Sequence, residues 1–253
     1  MLQETTTEFV IYLSLIFARL GTALHLFPAI SSVYILMRGR LILAIATCLV
    51  LYPVLYEHFP KYPFSTGAYI TYLVIEIMIG IVISIAAKIC FQALDIVGAI
   101  ISMQSGLSAA MFFDPNHNTQ ISLISNFLFI MGYAAIFATD THYLFLQGIV
   151  DSYSVFKVGI LPDTGDLSHF ISTTVNQSFI LAFKLVSPFI AVSLGFLISN
   201  GVLSRLMPNL QVFFVVTPAQ IWVMFVVLFI VVNFILAKLI EAVRVAIKMG
   251  SFV

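Results

Sequence analysis

From Thr66 to Met111 the chain carries only three charged side chains, Glu76, Lys88 and Asp95. A helix crosses the hydrocarbon of a bilayer in about 20 residues, so this run is far too long for one simple span. It also places small residues every four positions, at Gly98, Ser102, Gly106 and Ala110. That ladder lets a second backbone approach closely. Gly80 and Ser84 form a shorter surface of the same kind. After the ladder come Met111, Phe112 and Phe113, then Asp114, Pro115 and Asn116. Proline disfavours helix at the residue before it, and Asp and Asn favour turns. The expectation is a tightly packed helix that delivers three large apolar side chains to a loop tip. An ordinary interhelical turn, with the Phe residues against lipid or core, is the alternative reading.

The rest of the chain is equally poor in charge. Of 253 residues, 61% are hydrophobic and 9% charged, against about 25% charged in soluble domains. No soluble fold has enough interior for this much apolar surface. The chain is expected to be an all-α integral membrane protein, or a subunit buried in a membrane-associated complex. Its net charge is zero, with no basic or acidic block, which argues against nucleic acid as a partner. Cys48 and Cys90 lie in separate apolar runs and read as buried free thiols. Glu4 and Glu8 precede the first apolar run without a basic stretch, so a cleaved signal peptide is not expected.

In chain order, the first apolar run spans Phe9 to Met37 and contains Arg19, His25 and Pro28, with Pro28 expected to kink or break it. Arg38-Gly39-Arg40 makes a basic turn, cytoplasmic by the positive-inside rule. A second run covers Leu41 to Phe59, and the long third run follows. Lys88 and Asp95 are seven apart and share a helical face. Gln120 to Val150 forms a fourth helical region, interrupted at Thr139-Asp140-Thr141-His142. Asp151 to His169 reads as a loop and as the boundary between two parts, residues 1–168 and 169–253. Phe170 to Asn200 repeats the small ladder at Ser187, Ala191, Gly195 and Ser199 around Pro188, then turns through Gly201 to Pro208 with Arg205. Val212 to Lys248 is the last apolar region, with Pro218 near its start and a possible Glu241–Arg244 pair at its end.

Catalytic and metal motifs are not evident. There is no nucleophile elbow, phosphate-binding glycine loop or paired-His helix, so no cofactor is expected. Asp140 and His142 stand two apart and do not face one another on a helix; capping or packing is the expected role. Arg19 and Glu76 are isolated charges in apolar runs. A charge at mid-membrane costs about 2.5–3.5 kcal/mol on insertion scales, so both are expected to face protein, as structural pairings inside a helical assembly. Lys88, Asp95, Gln104, His142 and Arg205 complete the set of expected buried charged and polar groups.

These features together resemble the FliR family, the R-type subunits of the flagellar type III secretion export gate, related to the T-type subunits of injectisomes. The resemblance covers nearly the whole chain. It rests on Arg19 and Pro28 before the Arg38/Arg40 turn, then Glu76 with Gly80, and Gly98, Gln104, Gly106 and Asp114-Pro115. His142, Ser152, Pro162 and Pro188 follow. The most specific stretch is Arg205-Leu206-Met207-Pro208-Asn209-Leu210-Gln211-Val212-Phe213, with Pro218 after it. The family often has a proline just before the basic turn, where this chain has Leu36 and Met37.

The resemblance implies a fusion of a P-like N-terminal part with a Q-like C-terminal hairpin. It implies one copy per gate, joined to P-type and Q-type subunits in a helical, pore-forming hetero-oligomer of the bacterial inner membrane, at the flagellar basal body. Flagellar B-type and A-type export proteins, membrane lipid and unfolded secretion substrates are the further partners implied. The family loop matching Met111–Asn118 plugs the closed pore, which gives Met111, Phe112, Phe113, Asp114 and Pro115 their expected role. An apolar tip in a pore excludes water and ions by packing and dewetting. The competing classes are a secondary transporter for a small solute, suggested by Pro-broken helices and intramembrane charge, an injectisome export subunit, and an intramembrane enzyme. Missing inverted repeats, scattered charges and the lack of a nucleophile–base set weigh against the transporter and the enzyme.

Overall fold

The structure is a computed structural model that describes residues 2–31, 35–60, 65–107, 122–207 and 212–250. The described residues are helical, in seven α-helices: α1 (Leu2–Leu26), α2 (Met37–Leu55), α3 (Thr66–Ser105), α4 (Leu123–Ala138), α5 (Thr141–Val155), α6 (Thr164–Leu206) and α7 (Val212–Gly250). A short 3-10 turn, Tyr56–His58, follows α2. Five helices are long and apolar enough to cross a membrane: α1, α2, α3, α6 and α7. The α4–α5 pair passes only when the two are taken together as a broken span.

Helix ends follow local chemistry. α1 stops at Leu26, two residues before Pro28, and the chain turns through hydrogen bonds from Ile30 and Ser31 N–H to the Phe27 carbonyl. α3 is one uninterrupted helix of 40 residues, about 60 Å at 1.5 Å per residue and about twice the hydrocarbon thickness. The long third run is therefore carried as one helix, as far as Ser105, rather than divided. It ends at Gly106, whose φ of +80° makes the left-handed turn that closes many helices. The break between α4 and α5 falls at Thr139-Asp140, where Asp140 takes φ 55°.

Two expectations about boundaries are corrected. Most of Asp151–His169 is helical: α5 continues to Val155, α6 begins at Thr164, and only residues 156–163 connect them. Gly159 turns this link with φ +83°, and Asp163 Oδ1 accepts the Gly165 N–H at 3.1 Å at the start of α6. The polar composition was capping chemistry and helix surface rather than a long loop. Likewise α6 runs through Gly201 to Leu206 and contains Pro188, while Pro218 lies inside α7.

The chain forms two compact units that interleave along the sequence. One contains residues 1–90, 136–175 and 242–253; the other contains residues 91–135 and 176–241. In the first, α1 lies against α2 and the link after it, with the Phe9 and Tyr52 rings 4.7 Å apart, edge to face, and Tyr12 stacked on Phe59 at 5.5 Å. Phe27 stacks on Phe145 at 4.0 Å, and Leu15, Ile16, Leu20 and Ile79 are buried. In the second, Phe91 stacks on Tyr133 at 5.5 Å among buried Leu94, Val97, Leu128, Phe189 and Leu239.

Candidate functional site

In the first unit, Arg19 of α1 and Glu76 of α3 form a bidentate pair. Arg19 Nε donates to Glu76 Oε2 at 2.6 Å, and a terminal nitrogen donates to Oε1 at 2.9 Å. Both side chains have 0% exposure. Burying two charges is costly unless their remaining groups are also bonded. Here Arg19 donates further to Ser152 Oγ at 3.1 Å and to the Phe156 carbonyl at 3.0 Å. Its guanidinium also lies 3.9 Å from the centroid of the Tyr153 ring, a cation–π geometry. One arginine thus ties α1, α3, the end of α5 and the link after α5.

Glycine makes this approach possible. A Cβ on Gly80, one turn from Glu76, would run into the Arg19 carbonyl and Thr22 Oγ1. One turn further, Ser84 Oγ donates to the Ala23 carbonyl at 2.7 Å. Gly80 and Ser84 therefore face α1 along one seam.

The second unit is organised around the first small ladder. Ser122 caps α4, its Oγ accepting the Ser125 N–H at 3.2 Å. The same hydroxyl donates to the Gly98 carbonyl at 3.2 Å and stands 2.5 Å from Ser102 Oγ. Ser125 Oγ donates to the Asp95 carbonyl at 3.1 Å. A Cβ on Gly98 would collide with the Ser125 backbone. The backbone that the ladder lets approach closely is, at Gly98 and Ser102, this chain's own α4. Gly106 closes α3, and Ala110 lies outside the described residues.

Two residues before Gly106 sits Gln104. Its side-chain carbonyl accepts a hydrogen bond from Ser193 of α6, and its backbone carbonyl accepts one from the side-chain amide of Gln220 on α7. That backbone carbonyl belongs to the last turn of α3, where no intrahelical donor remains; Gln220 supplies one. Beside these contacts opens a cleft of about 420 Å³, lined by Met103, Gln104, Ser193, Leu197, Thr217 and Gln220 among others.

The other expected positions divide. Asp95 is half-buried and accepts from Gln92 at 3.3 Å. His142 is half-buried between the Phe137 and Tyr143 rings, at 5.2 and 4.2 Å, and its Nδ1 has no hydrogen-bond partner. Lys88 and Arg205 are exposed, so burial does not hold for them within the single chain; each points away from its unit's core. Ser187, Ala191, Gly195 and Ser199 are exposed as well, and a Cβ on Gly195 would meet nothing within 4 Å. Among the described residues, therefore, the second ladder packs on nothing. Glu241 pairs with Lys238 at 2.7 Å rather than with Arg244. Arg244 instead donates to the Thr139 carbonyl at 3.0 Å and to Thr141 Oγ1 at 3.3 Å, closing the α4–α5 break. Met111, Phe112, Phe113, Asp114 and Pro115 lie outside the described residues.

Sequence reasoning missed Tyr153, Ser193, Gln220, Ser122 and Ser125. Gln220 had a visible signal, an uncharged amide inside the apolar run of α7. Ser122 and Ser125 had one too, as a small polar pair just before a helix and at its start.

Comparison with known proteins bears on the whole chain. Residues 10–245 match the family described as bacterial export proteins, family 1. The flagellar biosynthetic protein FliR of Caulobacter vibrioides is 33% identical over 216 residues, covering 85% of this chain and 86% of that protein. FliR of Bacillus subtilis is 31% identical over 179 residues, covering 67% and 69%, and FliR of Escherichia coli 25% over 227 residues, covering 88% and 86%. A match that spans five of the seven helices whole, and most of α1 and α7, shows kinship of fold as well as of sequence, and the chain belongs to the bacterial export proteins, family 1, among the FliR proteins.

Proposed function

We propose that the chain is the R-type subunit of a flagellar protein-export gate in the bacterial inner membrane. The observation that carries this reading is the family match across residues 10–245. The relatives named above are flagellar proteins, which favours flagellar over injectisome use. In this reading residues 1–168 are the P-like part and 169–253 the Q-like hairpin, and P-type and Q-type subunits surround a single copy. The subunit lines a path for unfolded flagellar proteins and has a structural rather than enzymatic role. The loop with Met111, Phe112 and Phe113 plugs the closed path.

The pattern of exposure supports a chain that needs partners or lipid. Phe214, Trp222, Phe229 and Ile230 of α7 and Leu197 and Ile198 of α6 are exposed, Phe229 at 82%. An apolar surface of this extent is covered in any stable state. The test is native mass spectrometry of the detergent-extracted protein, expressed with and without P-type and Q-type subunits. One copy in a large hetero-oligomer, and instability alone, is the expected result. A stable monomer or homodimer that ignores those subunits would overturn the reading. For the plug, replacing Phe112 and Phe113 by Ala is expected to make the assembled gate leak ions; an intact assembly with unchanged conductance would remove that part.

A further inference from the structure

Gln104 stands out because its partners come from two other helices, far away in sequence. Ser193 is 89 residues on and Gln220 is 116 residues on. Both contacts are between neutral groups, and among the described residues no charged side chain lines the adjoining cleft. A neutral hydrogen bond contributes little net free energy, because water offers each partner nearly as good a bond, so two such bonds hold a helix end in place and still release it at modest cost. Movement of packed helices also needs free volume, since protein interiors are close-packed. Here about 420 Å³ lies directly beside the bonds. Gly106, at φ +80°, puts a glycine turn immediately after the fastened residue, and a Cβ there would face Thr217 across 3.5 Å.

From this arrangement we infer that Gln104 is a positioning residue of the gate: its side chain and backbone carbonyl form a releasable fastening of the α3 C-terminus to α6 and α7. In the closed gate Ser193 and Gln220 hold that end. In the open gate the two bonds are broken and α3, α6 and α7 shift into the volume of the cleft. The inference rests on the gate reading above. It adds residues that lie outside the loop at Met111–Asp114 in sequence.

The test uses the full assembled gate. Gln104→Cys with Ser193→Cys removes the side-chain bond and allows a short, thiol-cleavable bis-methanethiosulfonate bridge between the two helices. Native Cys48 and Cys90 are buried and do not compete. The unbridged variant is expected to conduct ions several-fold above the parent gate. Bridging is expected to return conductance to the parent level and stop protein export, and thiol reduction to restore both. Gln220→Leu, which removes only the bond to the backbone carbonyl, is expected to leak with normal amounts of assembled gate. Normal export through a bridged gate would overturn the inference, as would tight, unbridged variants. Loss of assembly in both variants would overturn it too, because the fastening would then be structural and not releasable. If the Phe112/Phe113 variant leaks while the Gln104 and Gln220 variants stay tight, only this inference fails. If none leaks in an intact assembly, this inference and the plug part of the gate reading fail together, and the subunit's place in the hetero-oligomer stands.

Discussion

The two polar centres of this chain handle the same difficulty in opposite ways. Arg19 and Glu76 bring full charges into an apolar unit, and the fold seals them at 0% exposure with two further acceptors and an aromatic ring. Gln104, Ser193 and Gln220 use neutral groups and leave a cleft of about 420 Å³ at their side. Removing one partner of a buried pair strands the other charge, at a cost of about 3–5 kcal/mol. Breaking a neutral bond beside open space costs about 1 kcal/mol. A charged, closed centre is suited to holding helices still. A neutral, open one is suited to letting them go.

The largest expected effect breaks the closed centre. Arg19→Ala strands the Glu76 carboxylate with no other cation bonded to it among the described residues, and a loss of about 3–5 kcal/mol is expected to deplete the protein from the membrane. Quantitative immunoblotting against the parent checks this; parent-like abundance would mean the pair contributes little. A smaller effect follows at the glycine seam. Gly98→Val drives side-chain carbon into the Ser125 backbone, and overpacking of this kind costs about 1–3 kcal/mol. The thermal midpoint of the detergent-solubilised gate should fall, and Gly80→Ala should behave similarly because it meets the Arg19 carbonyl.

At the open centre Gln220→Leu should lower stability by about 1 kcal/mol yet change conductance markedly. That split between stability and conductance sharpens the contrast with Arg19→Ala. The smallest expected effect concerns the outward ladder. Gly195→Ala meets nothing within 4 Å in this chain and by helix propensity should stabilise it slightly, by less than about 1 kcal/mol. If the same substitution weakens recovery of the hetero-oligomer, a partner backbone lies on Ser187, Ala191, Gly195 and Ser199.

Much of the helical layout was legible from local signals. Pro28 ends α1 nearby, the Thr139-Asp140 interruption divides α4 from α5, and the last apolar run became α7 at close to its expected limits. The segment Asp151–His169 misled because Asp and Ser at helix ends look like loop residues in composition; Asp163 is a local cap for the start of α6. The two small ladders looked alike in sequence, yet one is buried against α4 and the other is exposed. Four-residue spacing specifies that a backbone can come close, not which backbone does.

The sequence by itself determined that this is a helical, largely apolar chain, that its first helix stops near Pro28 and that α4 and α5 divide at Thr139-Asp140, and which family it belongs to. Each of these is written in local periodicity or in residue order. Only the tertiary structure decided that Arg19 meets Glu76 across 57 residues, that Arg244 turns to Thr139 and Thr141 instead of Glu241, and that Gln104 holds two distant helices. A buried charge demands a partner, and an unsatisfied carbonyl demands a donor, but neither demand carries an address. The address comes from which helices pack closely enough, and that depends on glycines such as Gly80 and Gly98 whose missing side chains let backbones touch.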